Sequence, residues 1–220
     1  MNDAVAIVNI LLIATTGYIS YLGFSNNQVI KRLIFHEQAI LQGRQYYRLL
    51  SSAFIHGSWI HLLFNMISLY SFGQYIEIIF GWQIYIVIYF ISLICGNILS
   101  LFLHRKEDYY ALGASGGVSG VIFSSVFLLT GGGIYIFPIP IAIPSWLYAI
   151  LFVLISVYGI QKQSGNIGHD AHLGGAISGL LVTFILFPQA IFNQFLLFVI
   201  IMIFVSAFLI WIIHSQRGIE

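Results

Sequence analysis

Charge is what this sequence has least of. Lys and Arg number eight and Asp and Glu seven in 220 residues, 7% of the chain, against 60% hydrophobic residues and a mean hydropathy of +0.97. A soluble globule needs far more polar surface to face water, so the composition excludes one and places the chain in lipid. No basic run is present that could grip phosphates, and a net charge of +1 offers an anionic polymer nothing to hold, which excludes nucleic acid as a partner. Cysteine is almost missing: Cys95, inside an apolar run, reads as a buried thiol serving as a small hydrophobe rather than a nucleophile or half of a disulfide. No cleavable signal pattern stands alone at the front, so the first apolar stretch is expected to be a retained span.

What the sequence does have is apolar stretches of bilayer length. A hydrocarbon core takes about 20 mostly apolar residues per helix, and seven stretches qualify, near 4–23, 58–80, 82–103, 115–132, 144–161, 170–187 and 191–213. They predict an all-α polytopic protein, residues 1–220 forming a single integral membrane domain with lipid as its solvent. Turn residues separate the stretches: Gly81 and Trp82, Gly131 to Gly133, Pro138, Pro140, Pro144, Gln163 to Asn166, and Pro188. A tight hairpin is expected at Gly81. The connector between the first two spans exceeds thirty residues, and its segment 30–41 mixes apolar and charged residues as an interfacial stretch or a solvated loop would.

Polar side chains inside spans are costly, so each is a candidate for function. Three clusters stand out: His56, His61 and Asn65 at the start of the second span; Gly113-Ala114-Ser115-Gly116 at the start of the fourth; and His169, Asp170 and His172 at the start of the sixth. Spans two, four and six run in one direction, so the three clusters share one side of the membrane at similar depth. Ser115 begins a helix between small residues, where its hydroxyl and the first helical N–H groups can face one space. His172, Gly175 and Gly179 lie on one face of the sixth span, and small residues at spacing four (Gly113 and Gly117, Gly116 and Gly120, Gly175 and Gly179) suit close contact between spans four and six. That seam would bring His172 within reach of Ser115 as a general base. His61 and Asn65 share a helix face and can both donate hydrogen bonds. Ser119 repeats the Gly-x-Ser-Gly pattern one turn deeper, where its N–H groups are committed to the helix, so Ser115 is the preferred nucleophile. Asp170 points about 200° away from His172 on a helix and reads as a cap for the sixth span rather than an orienting acid.

Together these residues resemble the rhomboid family of intramembrane serine proteases. The matching elements run from Tyr47-Arg48 through His56, His61 and Asn65, Gly73 and Glu77, and Gly113-Ala114-Ser115-Gly116, to Ala171-His172, Gly175 and Gly179, over about residues 45–180. The resemblance implies a six-helix core over 4–187 with one additional C-terminal transmembrane helix over 191–214. It implies Ser115 as nucleophile and His172 as base, with His61, Asn65 and the Ser115 N–H forming the oxyanion hole and no metal or organic cofactor. Arg48, His56, Glu77, Gly113, Gly116, Gly175 and Gly179 would be structural, Arg48 organising loop carbonyls and Glu77 accepting internal hydrogen bonds. Substrates would be single-span membrane proteins, cut in or near the bilayer. Two departures stand out: Tyr47 replaces a frequent tryptophan, and Ser119 stands where many relatives place a bulky residue that braces the histidine.

Three other readings compete. One is a metal site built on His56, His61, His169 and His172, although the His-Glu-x-x-His signature is absent. Another is a non-catalytic rhomboid-like protein that binds membrane clients; the third, a transporter, has few ionisable groups deep in its spans. The positive-inside rule puts all eight Lys and Arg, and with them the three clusters, on the cytoplasmic side. The resemblance instead opens the site to the exterior and implies a multi-pass protein of a bacterial plasma (cell inner) membrane.

Overall fold

The structure is a computed structural model and describes residues 5–129, 133–135, 142–161 and 169–217. It is the all-α membrane architecture expected. The first span is α1 (Ile7–Ser25), followed in the long connector by α2 (Asn27–Leu33), β1 (Phe35–His36), α3 (Glu37–Leu41) and α4 (Arg48–Ser51). The second span comprises α5 (Trp59–Ser68), a π-helical turn (Leu69–Gly73) and α6 (Gln74–Phe80). Gly81 then reverses the chain at φ +91°, a conformation that favours glycine, and α7 (Trp82–Leu103) begins at the next residue. After β2 (Tyr110–Ala111) come α8 (Ser115–Leu128), a short β3–β4 hairpin (Gly133–Tyr135 and Ala142–Pro144), α9 (Ser145–Gln161) and α10 (His169–Leu186). The last apolar stretch is broken at Asn193 into α11 (Pro188–Phe192) and α12 (Phe195–Arg217), where an unbroken span was expected. The expected turn at 163–166, and Pro138 and Pro140, lie outside the described residues.

By length and composition α1, the α5–α6 span and α7 can each cross a membrane. Helix α8 is shorter because it is central: all fourteen of its residues are buried. A helix apolar all round belongs in such a position, and its small residues let neighbours close in. A side chain at Gly117 would strike the Tyr89 ring of α7, and one at Gly120 would overlap Ser92. On the other flank, a side chain at Gly175 or Gly179 of α10 would overlap the backbone of Gly116 or Gly120. Helices α7, α8 and α10 therefore pack more extensively with one another than any other elements do. The large exposed apolar side chains lie on outer faces, among them Leu11 and Tyr18 of α1, Ile98 and Phe102 of α7, and Leu196 and Ile203 of α12. In lipid such surface is solvated rather than exposed.

The π turn has an identifiable cause. A wide turn leaves a backbone carbonyl outside the regular ladder, and Asn9 Nδ2 of α1 donates to the Leu69 C=O at 3.1 Å. Tyr85 Oη in turn donates to Asn9 Oδ1 at 2.7 Å. One turn further along, the Glu77 carboxylate accepts the N–H groups of Val8 and Asn9 at 2.9 and 2.7 Å. These are first-turn donors of α1 with no intrahelical acceptor, so Glu77 supplies a charged cap from another helix. Spans one and two are thereby fixed in register at the end remote from the three polar clusters.

Candidate active site

The Ser115 turn is held from several directions. Gly113 adopts φ +120°, and a Cβ there would lie 2.7 Å from the His61 ring, so both conformation and space demand glycine. Its N–H donates to the Ser52 C=O at 2.9 Å, and the next N–H, of Ala114, donates to His56 Nε2 at 3.3 Å. Helix α8 then starts at Ser115. Its first internal bond runs from the Val118 N–H to the Ala114 C=O, leaving the N–H groups of Ser115, Gly116 and Gly117 at the mouth of the helix.

Helix α10 carries His172 to this mouth. Ser115 Oγ and His172 Nε2 lie 2.5 Å apart, across 57 residues of sequence, with both side chains buried. The glycine seam sets this approach, since Gly116 and Gly175 sit one residue and three residues beyond the pair. On its other side the imidazole meets the Phe152 ring of α9, with centroids 5.5 Å apart and planes at 45°. Ser119 gives no such support, because its hydroxyl turns back along α8 and donates to the Ser115 C=O at 2.6 Å. The bracing that the sequence left in question comes from a different helix.

His61 and Asn65 occupy successive turns of α5, whose start is capped by Ser58 Oγ accepting the His61 N–H at 3.2 Å. Asn65 Nδ2 donates to the His61 C=O at 3.0 Å, which uses one of its two N–H groups. The His56 and His61 rings meet edge to face at 4.9 Å. His56 has a defined tautomer. Its Nε2 accepts from Ala114, so Nδ1 carries the proton and donates at 2.9 Å to Ser20 Oγ, which donates onward to the Phe54 C=O. Burial, reinforced by the nearby His61, lowers its pKa from 6.5 to about 3, so the ring is neutral in this role.

Other singled-out residues lie away from the Ser115–His172 pair. Arg48 Nη1 donates to the carbonyls of Lys31 and Ile34 at 3.0 and 2.6 Å, and Nε to Gln45 Oε1 at 2.7 Å, tying the long connector together. Asp170, expected to cap its helix, lies inside the first turn of α10 with its carboxyl turned toward Tyr109 and His104. Cys95 corrects the sequence reading outright: it is exposed on the outer face of α7. Position in an apolar run says nothing about which side of a helix faces lipid. The His169 side chain lies outside the described residues, and among the described residues no group of three or more His, Cys, Asp and Glu could hold a metal ion.

Sequence reasoning missed Phe152 and Asn97. Asn97 Nδ2 donates to the Leu49 C=O at 2.7 Å and to Ser52 Oγ at 3.3 Å, beside a small polar cavity that Ser115, Gly113, Gly116 and Ala171 also line. Asn97 did carry a signal, being an amide within an apolar span. Phe152 carried none, because an aromatic among the apolar residues of a hydrophobic helix reads simply as packing.

A serine at the mouth of one buried helix is thus paired with a histidine on its neighbour, inside a polytopic membrane bundle. Residues 43–189 match the model of the rhomboid domain, and the chain belongs to the rhomboid family. It is 33% identical over 178 residues to RHOMBOID-like protein 6, mitochondrial, of Arabidopsis thaliana, covering 80% of this chain and 55% of that protein. Against Rhomboid protein 1, mitochondrial, of Saccharomyces cerevisiae, identity is 29% over 137 residues, 60% of this chain and 40% of the yeast protein. Rhomboid protease GluP of Bacillus subtilis is 26% identical over 202 residues, 90% of this chain and 38% of GluP. The chain thus spans about half or less of the length of these relatives. Among these relatives GluP is named a protease, while others carry only a rhomboid-like name, and the chain is an integral membrane protein. Relatives from yeast, a plant and a bacterium, two with mitochondrial names, do not single out a bacterial plasma membrane.

Proposed function

We propose that this chain is an intramembrane serine endopeptidase that cuts single-span membrane proteins, with Ser115 as nucleophile and His172 as general base. The observation that carries the reading is the 2.5 Å approach of Ser115 Oγ to His172 Nε2 at a helix N-terminus. Ser115 Oγ attacks the scissile carbonyl carbon while Nε2 takes the hydroxyl proton. The carbonyl oxygen becomes an oxyanion facing the Ser115 N–H and the side-chain donors of His61 and Asn65, each worth about 2.7 to 4 kcal/mol of barrier in comparable sites. The intermediate collapses to an ester on Ser115, and His172 passes its proton to the leaving amine. Water, deprotonated by the same imidazole, then hydrolyses the ester. These steps need neither metal nor organic cofactor.

A non-catalytic client-binding role is the second reading, since some relatives carry only a rhomboid-like name. The two readings separate in one experiment with the purified chain in lipid vesicles and a model single-span substrate. Ser115→Ala is expected to lower cleavage by about 10⁴ or more and to abolish labelling by a fluorophosphonate probe. Undiminished cleavage by Ser115→Ala would refute the assignment, and wild-type protein that neither cleaves nor labels would favour client binding.

A further inference from the structure

A cluster of ionisable side chains lies at the end of α7, apart from the proposed dyad. His104 follows the last residue of α7 and is buried. Its ring stacks flat on Tyr109, with centroids 3.7 Å apart and planes at 2°. Nδ1 donates to Glu107 Oε2 at 2.7 Å, and Nε2 lies 3.5 Å from Asp170 Oδ2. Tyr109 Oη donates to the other oxygen, Asp170 Oδ1, at 3.2 Å. The two oxygens of one buried carboxyl are thus addressed by two side chains of a single connector.

The position of this cluster gives it leverage. Asp170 precedes His172 by two residues at the start of α10. Tyr109 precedes Ser115 by six residues, and between them lies β2, paired with β1 of the first connector. The only covalent routes to the two proposed catalytic side chains from this side pass through Asp170 and through Tyr109. We propose that His104, Tyr109 and Asp170 form a charged latch that positions the Ser115 turn against His172, and that release of the latch when His104 loses its proton sets an alkaline limit on cleavage. Asp170 is then a positioning residue, acting through the connector rather than on substrate. The inference rests on the protease reading.

The charges around the latch fix the sign. Burial by itself would lower the His104 pKa, but the charge of Asp170 3.5 Å away, with the charge and hydrogen bond of Glu107, outweighs it and raises the pKa above 6.5. A raised pKa means the cation's contribution is complete below 6.5 and fades as pH climbs through the folded-state value. Among the described residues no further charge competes for the ring: His36 and Asp108 pair with each other at 2.9 Å, Arg105 and Lys106 are exposed, and Glu37 donates its backbone N–H to the Tyr109 C=O at 3.1 Å.

The test is the pH profile of kcat, per active site titrated with a fluorophosphonate, for full-length protein in vesicles between about pH 5 and about pH 9. Wild type should lose about tenfold in kcat on the alkaline side. His104→Gln and Asp170→Asn should each begin about tenfold lower at neutral pH, with KM unchanged and the alkaline limb absent, and the double variant should be no worse than either single one. Loss of fold alone would reduce the titre of active sites and leave the profile of each site unchanged. Should either variant express too poorly, Glu107→Gln at the exposed edge of the cluster should move the limb to lower pH. Limbs that coincide with that of wild type in these variants would overturn the latch. Should the protease reading itself fail, by cleavage surviving in Ser115→Ala or by wild type neither cleaving nor labelling, the latch would be read from thermal unfolding. Wild type should then lose stability as pH rises past His104 ionisation and His104→Gln should not; identical slopes would overturn it.

Discussion

The two flanks of the Ser115–His172 pair are built from different materials. Behind it, α7, α8 and α10 meet backbone against backbone: a Cβ at Gly174 would lie 2.8 Å from the Gly96 Cα, and ones at Gly175 and Gly179 would overlap Gly116 and Gly120. In front, α9 meets the α5 span through side chains, with Phe64 stacked on Phe152 at 6.1 Å, Phe72 against Tyr148 at 4.8 Å, and Ser68 hydrogen-bonded to Tyr148 at 2.8 Å. Helices in lipid gain little from hydrophobicity against one another, so close packing and hydrogen bonds decide where they sit. Backbone contact has no rotamers to change, whereas rings can turn. The seam fixes the distance between serine and histidine, and the aromatic flank holds the histidine ring from a surface able to yield.

The seam is the place to break this arrangement. Gly175→Val would drive methyl groups into the Gly116 carbonyl, where neither backbone can retreat without separating α8 from α10. The expected cost is about 4 kcal/mol or more, seen as loss of the cooperative unfolding transition in detergent and of all fluorophosphonate labelling. Survival of both would mean that the helices can slide. A smaller effect is expected on the other flank. Phe152→Leu keeps most of the volume and removes the ring beside His172, so kcat per titrated site should fall about tenfold while KM and the unfolding transition change little. Unchanged kcat would show that the seam alone orients the imidazole.

His56 tests whether the front of the Ser115 turn is as fixed as its back. The neutral ring accepts the Ala114 N–H, and protonation would place two donors face to face. With the pKa lowered from 6.5 to about 3, the unfolded chain binds a proton that the folded chain refuses throughout that interval. Stability therefore falls as pH drops below 6.5, by about 1.4 kcal/mol per unit from this group, and levels off near 3. His56→Gln retains an acceptor and cannot ionise. Unfolding temperatures measured along a pH series should fall less steeply on the acid side for that variant than for wild type, and parallel curves would remove His56 from the account.

Much of this was legible because the sequence marks certain things plainly. Seven apolar stretches gave the helices, Gly81 the hairpin, and the spacing of His172, Gly175 and Gly179 the face that α10 turns toward α8. The π turn was hidden, since it depends on Asn9 reaching Leu69 from another span. The part of α7 was marked but overlooked: Ser92, Gly96 and Ser100 repeat at spacing four, and Gly96 lies against Ala171 and Gly175 as Ser92 does against Gly120. Asp170 was misplaced because helical projection shows where a carboxyl does not point and leaves open what it meets. Side-chain partners that come from distant connectors leave no periodic trace.

Ser119 gives the smallest expected effect and the finest discrimination between seam and site. It lies one turn below Ser115 in the same glycine pattern, and its hydroxyl donates to the Ser115 C=O at 2.6 Å. A hydroxyl that bonds back along its own helix supplements a carbonyl already inside the helical ladder, so its loss costs at most about 1 kcal/mol. Ser119 is fully buried, and alanine keeps its Cβ while removing only the hydroxyl. Ser119→Ala should therefore cleave within about twofold of wild type and label normally with the fluorophosphonate. A large loss would mean that the back-bond to the Ser115 carbonyl tunes the helix mouth itself, and that the nucleophile's turn is held from below as well as from His56.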